Sequence, residues 1–215
     1  LVSRSASKAL VGDYAVLTAG DDINILAEGD SKLITILAAA SANAGSKPAV
    51  GATVCINVLL RDIEASVGSY GTLTAQNGSI LIQALENDWT LVISVAGSAS
   101  SSGTTVSGNI QVSYAQNDTT ATIGNNTKAT AYDSIGIVAD QQSNIYLVAA
   151  NASLSGGSTS IGGTTITAVL LNHTEASAGN NVDLTAYALN QAADAGIRTP
   201  NRAERRKGIV VSATS

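Results

Sequence analysis

A phrase of eleven residues occurs twice in this 215-residue chain, and its repetition restricts the fold more than any other feature. VLLRDIEASVG runs from Val58 to Gly68 and VLLNHTEASAG from Val169 to Gly179, with seven of the eleven positions identical. A weaker copy, YAQNDTTATIG, begins between them at Tyr114. The sequence offset is 114 − 58 = 56 for the first step and 169 − 114 = 55 for the second, so the chain is periodic.

Neighbouring segments follow the same period. Leu-Thr-Ala stands at 17–19 and again at 73–75, and Ala-Thr-Ala stands at 129–131. We therefore expect residues 1–215 to form one segment of a longer β-solenoid. Its repeat units are about 17–72, 73–128 and 129–183, with a partial unit at 184–215.

Within a unit, short runs alternate between apolar and polar residues, which is typical of β-strands. Examples are Ile80 with Ile82, then Leu91 with Ile93, then Ile110 with Val112. Sandwiches and barrels also contain such strands, but repetition along the whole chain favours a solenoid in which each coil covers the previous one. Two or three short coils would fill one period, and we favour three. Since aromatic residues make up only 3% of the chain, the interior should be narrow and aliphatic.

Composition excludes several classes of partner and cofactor. A net charge of −5 argues against binding to nucleic acid, and no apolar run reaches the roughly 18 residues that a membrane helix needs. Cys55 is the only cysteine, so the chain can form no internal disulfide, and its apolar neighbours predict a buried side chain. No motif for a phosphate, dinucleotide or calcium ligand is present, and we expect no cofactor and no metal.

Two phrases resemble a known type of protein. LTAGDDINILAEG, from Leu17, and LTAQNGSILIQA, from Leu73, are similar to the repeats of filamentous haemagglutinin-type adhesins. GNNTKATA, GNNVDLTA and RAERRKGIVVSATS resemble more closely the leukotoxin family of filamentous adhesins. This resemblance spans about residues 12 to 215 and implies a right-handed parallel β-helix. It also implies type V secretion and a location at the bacterial cell surface or outside the cell.

Asp62, Asp118 and His173 occupy equivalent positions in three repeats and should form a line along the solenoid. With two or three coils per period, neighbours in this line would stand roughly 10 to 14 Å apart, which is too far for shared metal binding or proton transfer. We therefore interpret them as turn residues.

Pairs of carboxylate groups that could cleave carbohydrate are also considered as candidate sites, because β-helices include polysaccharide lyases and glycosidases. Candidate groups are Asp21-Asp22 with Glu28 and Asp30, and Arg61-Asp62 with Glu64. Adjacent aspartates at a turn usually cap it, and few aromatic residues are available to stack on sugars. We predict that the protein is not an enzyme.

A basic stretch near the C-terminus is the one candidate contact site. YALNQAADA precedes it and has fair helix propensity, so we expect an excursion over 187–208 with a short helix or loop, the helix near 187 to 195. Its cationic side chains could touch an anionic ligand, although a solvated loop is the simpler interpretation. These side chains are Arg198, Arg202, Arg205, Arg206 and Lys207.

These features predict a structural stalk segment of a surface or secreted filamentous adhesin that presents binding surfaces by multivalent display. The expected partner is a host or bacterial surface glycan or protein, and end-to-end self-association is a further possibility. Two alternatives stay open: a carbohydrate-active β-helix and a subunit of a self-assembling extracellular fibre.

Overall fold

The computed structural model describes residues 1–45, 47–157, 159–192, 196–198 and 205–215, and these residues contain no helix. The strands are β1 (Val2–Val11), β2 (Val16–Ala19), β3 (Ile23–Asn43), β4 (Ala49–Val67), β5 (Thr72–Ala75), β6 (Ile80–Ser100), β7 (Thr105–Ile123), β8 (Lys128–Ala131), β9 (Ile135–Ser155), β10 (Ser160–Ala178), β11 (Asp183–Ala186), β12 (Ile197–Arg198), β13 (Arg205–Arg206) and β14 (Ile209–Thr214).

Twelve of these strands form three parallel sheets of four strands each. Sheet A has the order β1-β4-β7-β10, sheet B the order β2-β5-β8-β11, and sheet C the order β3-β6-β9-β14. The chain visits the sheets in rotation, so neighbouring strands in a sheet come from successive repeats. The prediction of an all-β chain with stacked parallel coils is confirmed.

The prediction of three short coils per period is wrong, because one period forms one coil. Val50 pairs with Val106 (106 − 50 = 56), Thr105 with Ser160 (160 − 105 = 55), and Ile23 with Ile80 (80 − 23 = 57). Each coil contains two long strands, of 19 and 21 residues in the complete repeats. A coil of long strands needs fewer turns per period than the predicted coils of short strands.

The expectation of short strands fails because the hydrophobic alternation shifts phase within each long strand. In β6, Ile80 and Ile82 are fully buried, whereas Leu91 and Ile93 lie on the opposite, outward face. A shift by one residue moves the apolar set to the other side of a sheet without ending the strand.

An aliphatic core lies where all three sheets surround the interior, and we call this part the body. Its side chains come from the first third of the sheet C strands, the last third of the sheet A strands and sheet B, as illustrated by Ile63, Leu73, Ile80 and Ile135. The expected narrow aliphatic interior is confirmed for this part of the chain.

Beyond the body, sheets A and C continue as a two-layered plate that we call the fin. It consists of residues 31–43, 49–61, 88–100, 105–117, 143–155 and 160–172. Its interior is mostly polar, contrary to the prediction of an aliphatic core throughout, although Cys55, Leu59 and Val92 are buried there as well. The buried inward residues include Asn57, Asp88, Ser94, Asn109, Gln111 and Ser113.

Side-chain hydrogen bonds join the two layers of the fin. The Ser94 hydroxyl lies 2.9 Å from Asn109 Oδ1, and Asn109 Nδ2 donates back to the Ser94 carbonyl at 2.7 Å. Gln111 Nε2 donates to the Val92 carbonyl at 3.3 Å. Nearer the tip, a Cβ at Gly51 would overlap the Gly97 carbonyl. The two backbones are therefore too close for any residue except glycine at position 51. The fin is therefore thin.

The excursion near the C-terminus contains no helix in its described part, so the expected helix near 187 to 195 is not supported. Residues 193–195 lie outside the described residues. The amides of Tyr187, Ala188 and Leu189 donate to the carbonyls of Ala131, Asp133 and Tyr132, respectively. These bonds hold the segment against the preceding coil, and Ala188 has a left-handed backbone with φ 54°, which a right-handed helix does not contain.

Candidate functional site

The basic stretch belongs to a short hairpin that leaves the solenoid between β11 and β14. β12 pairs with β13 in antiparallel fashion, which places Ile197 beside Arg206 and Arg198 beside Arg205. The sequence offset between β9 and β14 is 209 − 135 = 74, whereas the offset between β6 and β9 is 135 − 80 = 55. The additional length contains this excursion, and we call its described residues, 196–198 and 205–208, the basic hairpin.

One apolar side chain anchors the basic hairpin to the outer face of sheet C. Ile197 is only 3% exposed and packs with Val138, Val210 and Leu81. Beneath it lies Gly136, where an added Cβ would stand 2.6 Å from Ile197 Cδ1 and 2.6 Å from Leu81 Cδ1. Only glycine leaves enough space for Ile197 at this position.

The cationic side chains of the hairpin are exposed. Arg205 Nη1 donates to the Gly196 carbonyl at 3.1 Å, and Lys207 Nζ donates to the Asn190 carbonyl at 2.6 Å. Arg198 and Arg206 are exposed as well. Arg202 lies outside the described residues. The hairpin thus presents several guanidinium groups, which suit the bidentate recognition of carboxylates and sulfates.

Acidic groups moderate this positive charge on the side of the hairpin that faces the body. A cleft there is lined by Arg198 and Arg205 together with Asp22 and Asp133. Asp133 Oδ2 accepts hydrogen bonds from the Gly196 amide at 3.0 Å and from the Ser79 hydroxyl at 3.3 Å. Asp133 therefore helps to fasten the hairpin and offsets part of its charge.

Asp62, Asp118 and His173 do form a line, but the predicted spacing is wrong. Asp62 pairs with Asp118, and Asp118 with His173, on adjacent strands, which corresponds to a separation of about 4.8 Å rather than roughly 10 to 14 Å. The expected spacing failed because it assumed two or three coils per period. They lie in long strands of sheet A, so their interpretation as turn residues is wrong too.

The partners of these residues are nearby side chains. Lys8 Nζ lies 2.7 Å from Asp62 and 3.0 Å from Glu64, and these hydrogen bonds raise the pKa of Lys8. Gln116 Nε2 donates to Asp118 Oδ2 at 3.1 Å, and His173 Nε2 lies 3.5 Å from Glu175 Oε2. Within the described parts of the chain, no three His, Cys, Asp or Glu side chains are placed to hold a metal ion.

The other carboxylates considered for carbohydrate cleavage have separate surroundings. Asp22 Oδ1 accepts a hydrogen bond from the Ser79 amide at 2.7 Å, which joins two successive turns. Glu28 and Asp30 lie on the exposed face of β3, where Asp30 accepts from Asn87 Nδ2 at 3.3 Å. Arg61 is buried while Asp62 faces outward, so they lie on opposite faces of sheet A.

A buried ionic cluster at the base of the fin was missed by the sequence analysis. Arg61 Nη2 lies 3.2 Å from Asp88 Oδ1 and donates to the Ser31 hydroxyl at 2.6 Å. Close by, Glu86 Oε2 accepts from the Thr119 hydroxyl at 2.8 Å, and burial is the main factor that raises the pKa of Glu86. Glu86 and Asp88 share the phase of Ile80 and Ile82, so strict alternation could have predicted their burial.

Comparisons with protein-family models, curated proteins and solved structures find no match to this chain. None of the described residues belongs to a helix long and apolar enough to cross a membrane.

Proposed function

We propose that this chain is a segment of a right-handed β-helical stalk from a filamentous bacterial adhesin, displayed at the cell surface or released outside the cell. The observation that supports this proposal best is the pairing of every repeat with its predecessor one period away, as in Ile23 with Ile80 and Ile80 with Ile135. A chain that pairs in this way grows along one axis, and each added repeat lengthens the stalk.

The stalk holds contact surfaces at a distance from the cell and repeats them along its length. Many weak contacts on one shaft then act together, because each bound contact raises the effective concentration of the next. Within this segment, the basic hairpin is the proposed contact for a surface glycan or protein that carries carboxylate or sulfate groups. End-to-end association between copies would extend the same arrangement.

Bead adhesion tests the proposed display function. Beads coated with the chain at several densities are applied to host cells and to bacterial cells, and soluble chain serves as the competitor. We expect adhesion to rise steeply with coating density and to resist soluble competitor, as multivalent binding requires. Absence of adhesion at every coating density would overturn the proposal. In a separate assay, release of sugar from a glycan panel would favour the carbohydrate-active alternative.

Retention on heparin tests the basic hairpin separately. The variant with Arg198→Ser, Arg205→Ser and Arg206→Ser should elute at lower salt than the natural chain. A matched variant with Arg4→Ser, Lys47→Ser and Lys128→Ser removes the same charge from other exposed positions and should elute close to the natural chain. If both variants lose retention equally, net charge and not the hairpin governs binding.

A further inference from the structure

The outer faces of the fin are apolar, which is the reverse of its polar interior. On sheet A, the outward residues Val50, Val54 and Ile56 are 61%, 57% and 55% exposed. On sheet C, Ile34 and Ile36 are 53% and 68% exposed. Apart from Lys32 and, on the adjoining strand β1, Arg4 beside Leu60, the outward positions in the described part of the fin carry no charged side chain, and both of these cations lie at the base.

The two faces differ in relief at the tip of the fin, whereas nearer the base both carry large side chains, among them Ile34 and Ile36 on sheet C. The sheet A face carries branched side chains, namely Val50, Val54, Ile56, Val106, Ile110 and Ile161. At the tip of sheet C, the outward side chains are mostly small, and a shallow depression there is lined by Ala40, Ala42, Gly97, Ala99, Ala152 and Leu154. The small side chains at the tip of sheet C leave room for the branched side chains of a sheet A face, so the two surfaces can approach closely there, as facing layers of a packed core do.

We propose that the sheet A face of one fin packs against the sheet C face of the fin of a second copy of this chain. Charge permits this contact, since the acidic side chains lie elsewhere and the only charged side chains at these described faces are Lys32 and Arg4 at the base. A lipid bilayer could also cover an apolar face, but its fluid acyl chains do not require two faces of complementary relief. A second copy of the chain uses both faces. This inference does not depend on the proposed adhesin function.

The area of the two faces is sufficient for a weak specific interface. Each face is about 36 Å long, for eleven residues of strand, and about 14 Å wide, for three strands, which corresponds to about 500 Å². Pairing two such faces removes about 1,000 Å² from water, which is near the lower limit for specific protein interfaces. Because the two faces are different, the contact leaves one of each kind free and further copies can add.

Sedimentation velocity of the whole chain over a range of concentrations tests this contact. We expect the natural chain to sediment faster as its concentration rises. Val54→Lys with Ile110→Lys changes the sheet A face, and Ala40→Lys with Ala152→Lys changes the sheet C face. Each double variant alone should stay monomeric, because every contact needs one face of each kind.

An equimolar mixture of the two double variants should form a one-to-one dimer and nothing larger, since each variant keeps the face that the other lacks. Ser66→Lys with Thr122→Lys is the matched control on the body half of the same strands and should associate like the natural chain. Circular dichroism confirms that each variant is folded.

Three results would overturn the proposal. The natural chain could stay monomeric at every concentration, which means that the faces do not pair. Either double variant could still self-associate, which means that like faces pair. The natural chain could float with phosphatidylcholine vesicles in a density gradient while the face variants do not, which makes a bilayer the occupant.

Discussion

The guanidinium of Arg61 lies 3.2 Å from the carboxylate of Asp88, and both side chains are buried at the level where the aliphatic body ends and the polar fin begins. Arg61 belongs to sheet A and Asp88 to sheet C, so the ion pair joins the two layers. An ion pair in such a place fixes the alignment of the layers only while both charges are present.

Removing one member of this pair should be costly. Asp88→Ala leaves the Arg61 charge buried without its partner, and we expect a loss of about 3 kcal/mol in the free energy of unfolding. The double variant Arg61→Met with Asp88→Leu should lose less than Asp88→Ala, because no buried charge is left. Urea unfolding followed by circular dichroism measures both. A double variant less stable than Asp88→Ala would refute this account of the pair.

Burial of Glu86 predicts a dependence of stability on pH. Its pKa is raised in the folded chain above the ordinary value of 4.5, so the folded state binds the proton more tightly than the unfolded state. Stability from this group is therefore present at pH below 4.5 and is lost as the pH rises toward the raised pKa. Glu86→Gln should flatten this part of the profile in urea unfolding measured from about pH 4 to 8.

Thr119→Val provides the contrast. The hydroxyl of Thr119 donates to Glu86 and lowers its pKa, so its removal should move the loss of stability to higher pH. An identical profile for the natural chain, Glu86→Gln and Thr119→Val would exclude Glu86 as the cause.

Gly136 should control the docking of the basic hairpin. Gly136→Val places methyl groups where Ile197 and Leu81 now lie, so Ile197 should leave its site and the hairpin should open. We expect trypsin to cleave after Arg198, Arg205 and Arg206 faster than in the natural chain, as followed by mass spectrometry. Gly108→Val is the control, since a Cβ there meets no atom within 4 Å. Equal cleavage rates in both variants would contradict the docking.

The turns between sheets A and B use left-handed backbone at non-glycine residues in every repeat. Tyr14, Tyr70, Asn126 and Asn181 have φ values of 59°, 60°, 56° and 55°. Asparagine tolerates this conformation better than alanine does, so Asn126→Ala should cost about 1 kcal/mol and Asn126→Gly should cost less. Urea unfolding of the two variants checks this order. Greater stability of the alanine variant would contradict it.

The sequence predicted the repeat and the parallel stacking because both depend on identity between copies, such as Val58–Gly68 and Val169–Gly179. It failed on coil size because Ile82 and Ile93 lie on opposite faces of one strand, a phase shift that resembles a strand break. Ile197 packs over Gly136, and their sequence separation, 197 − 136 = 61, does not match the period. The repeat pattern therefore could not predict this contact.

Disulfide mapping tests most directly whether one repeat forms one coil. In a Cys55→Ala background, Val54→Cys is combined in turn with Gly108→Cys, Ile110→Cys or Val112→Cys, all on the outward face of sheet A. Because Val54 pairs with Ile110, the 54–110 pair should oxidise fastest and most completely. Failure of the 54–110 pair to form a disulfide in the folded chain, or equal yields at all three positions, would contradict the fold described here.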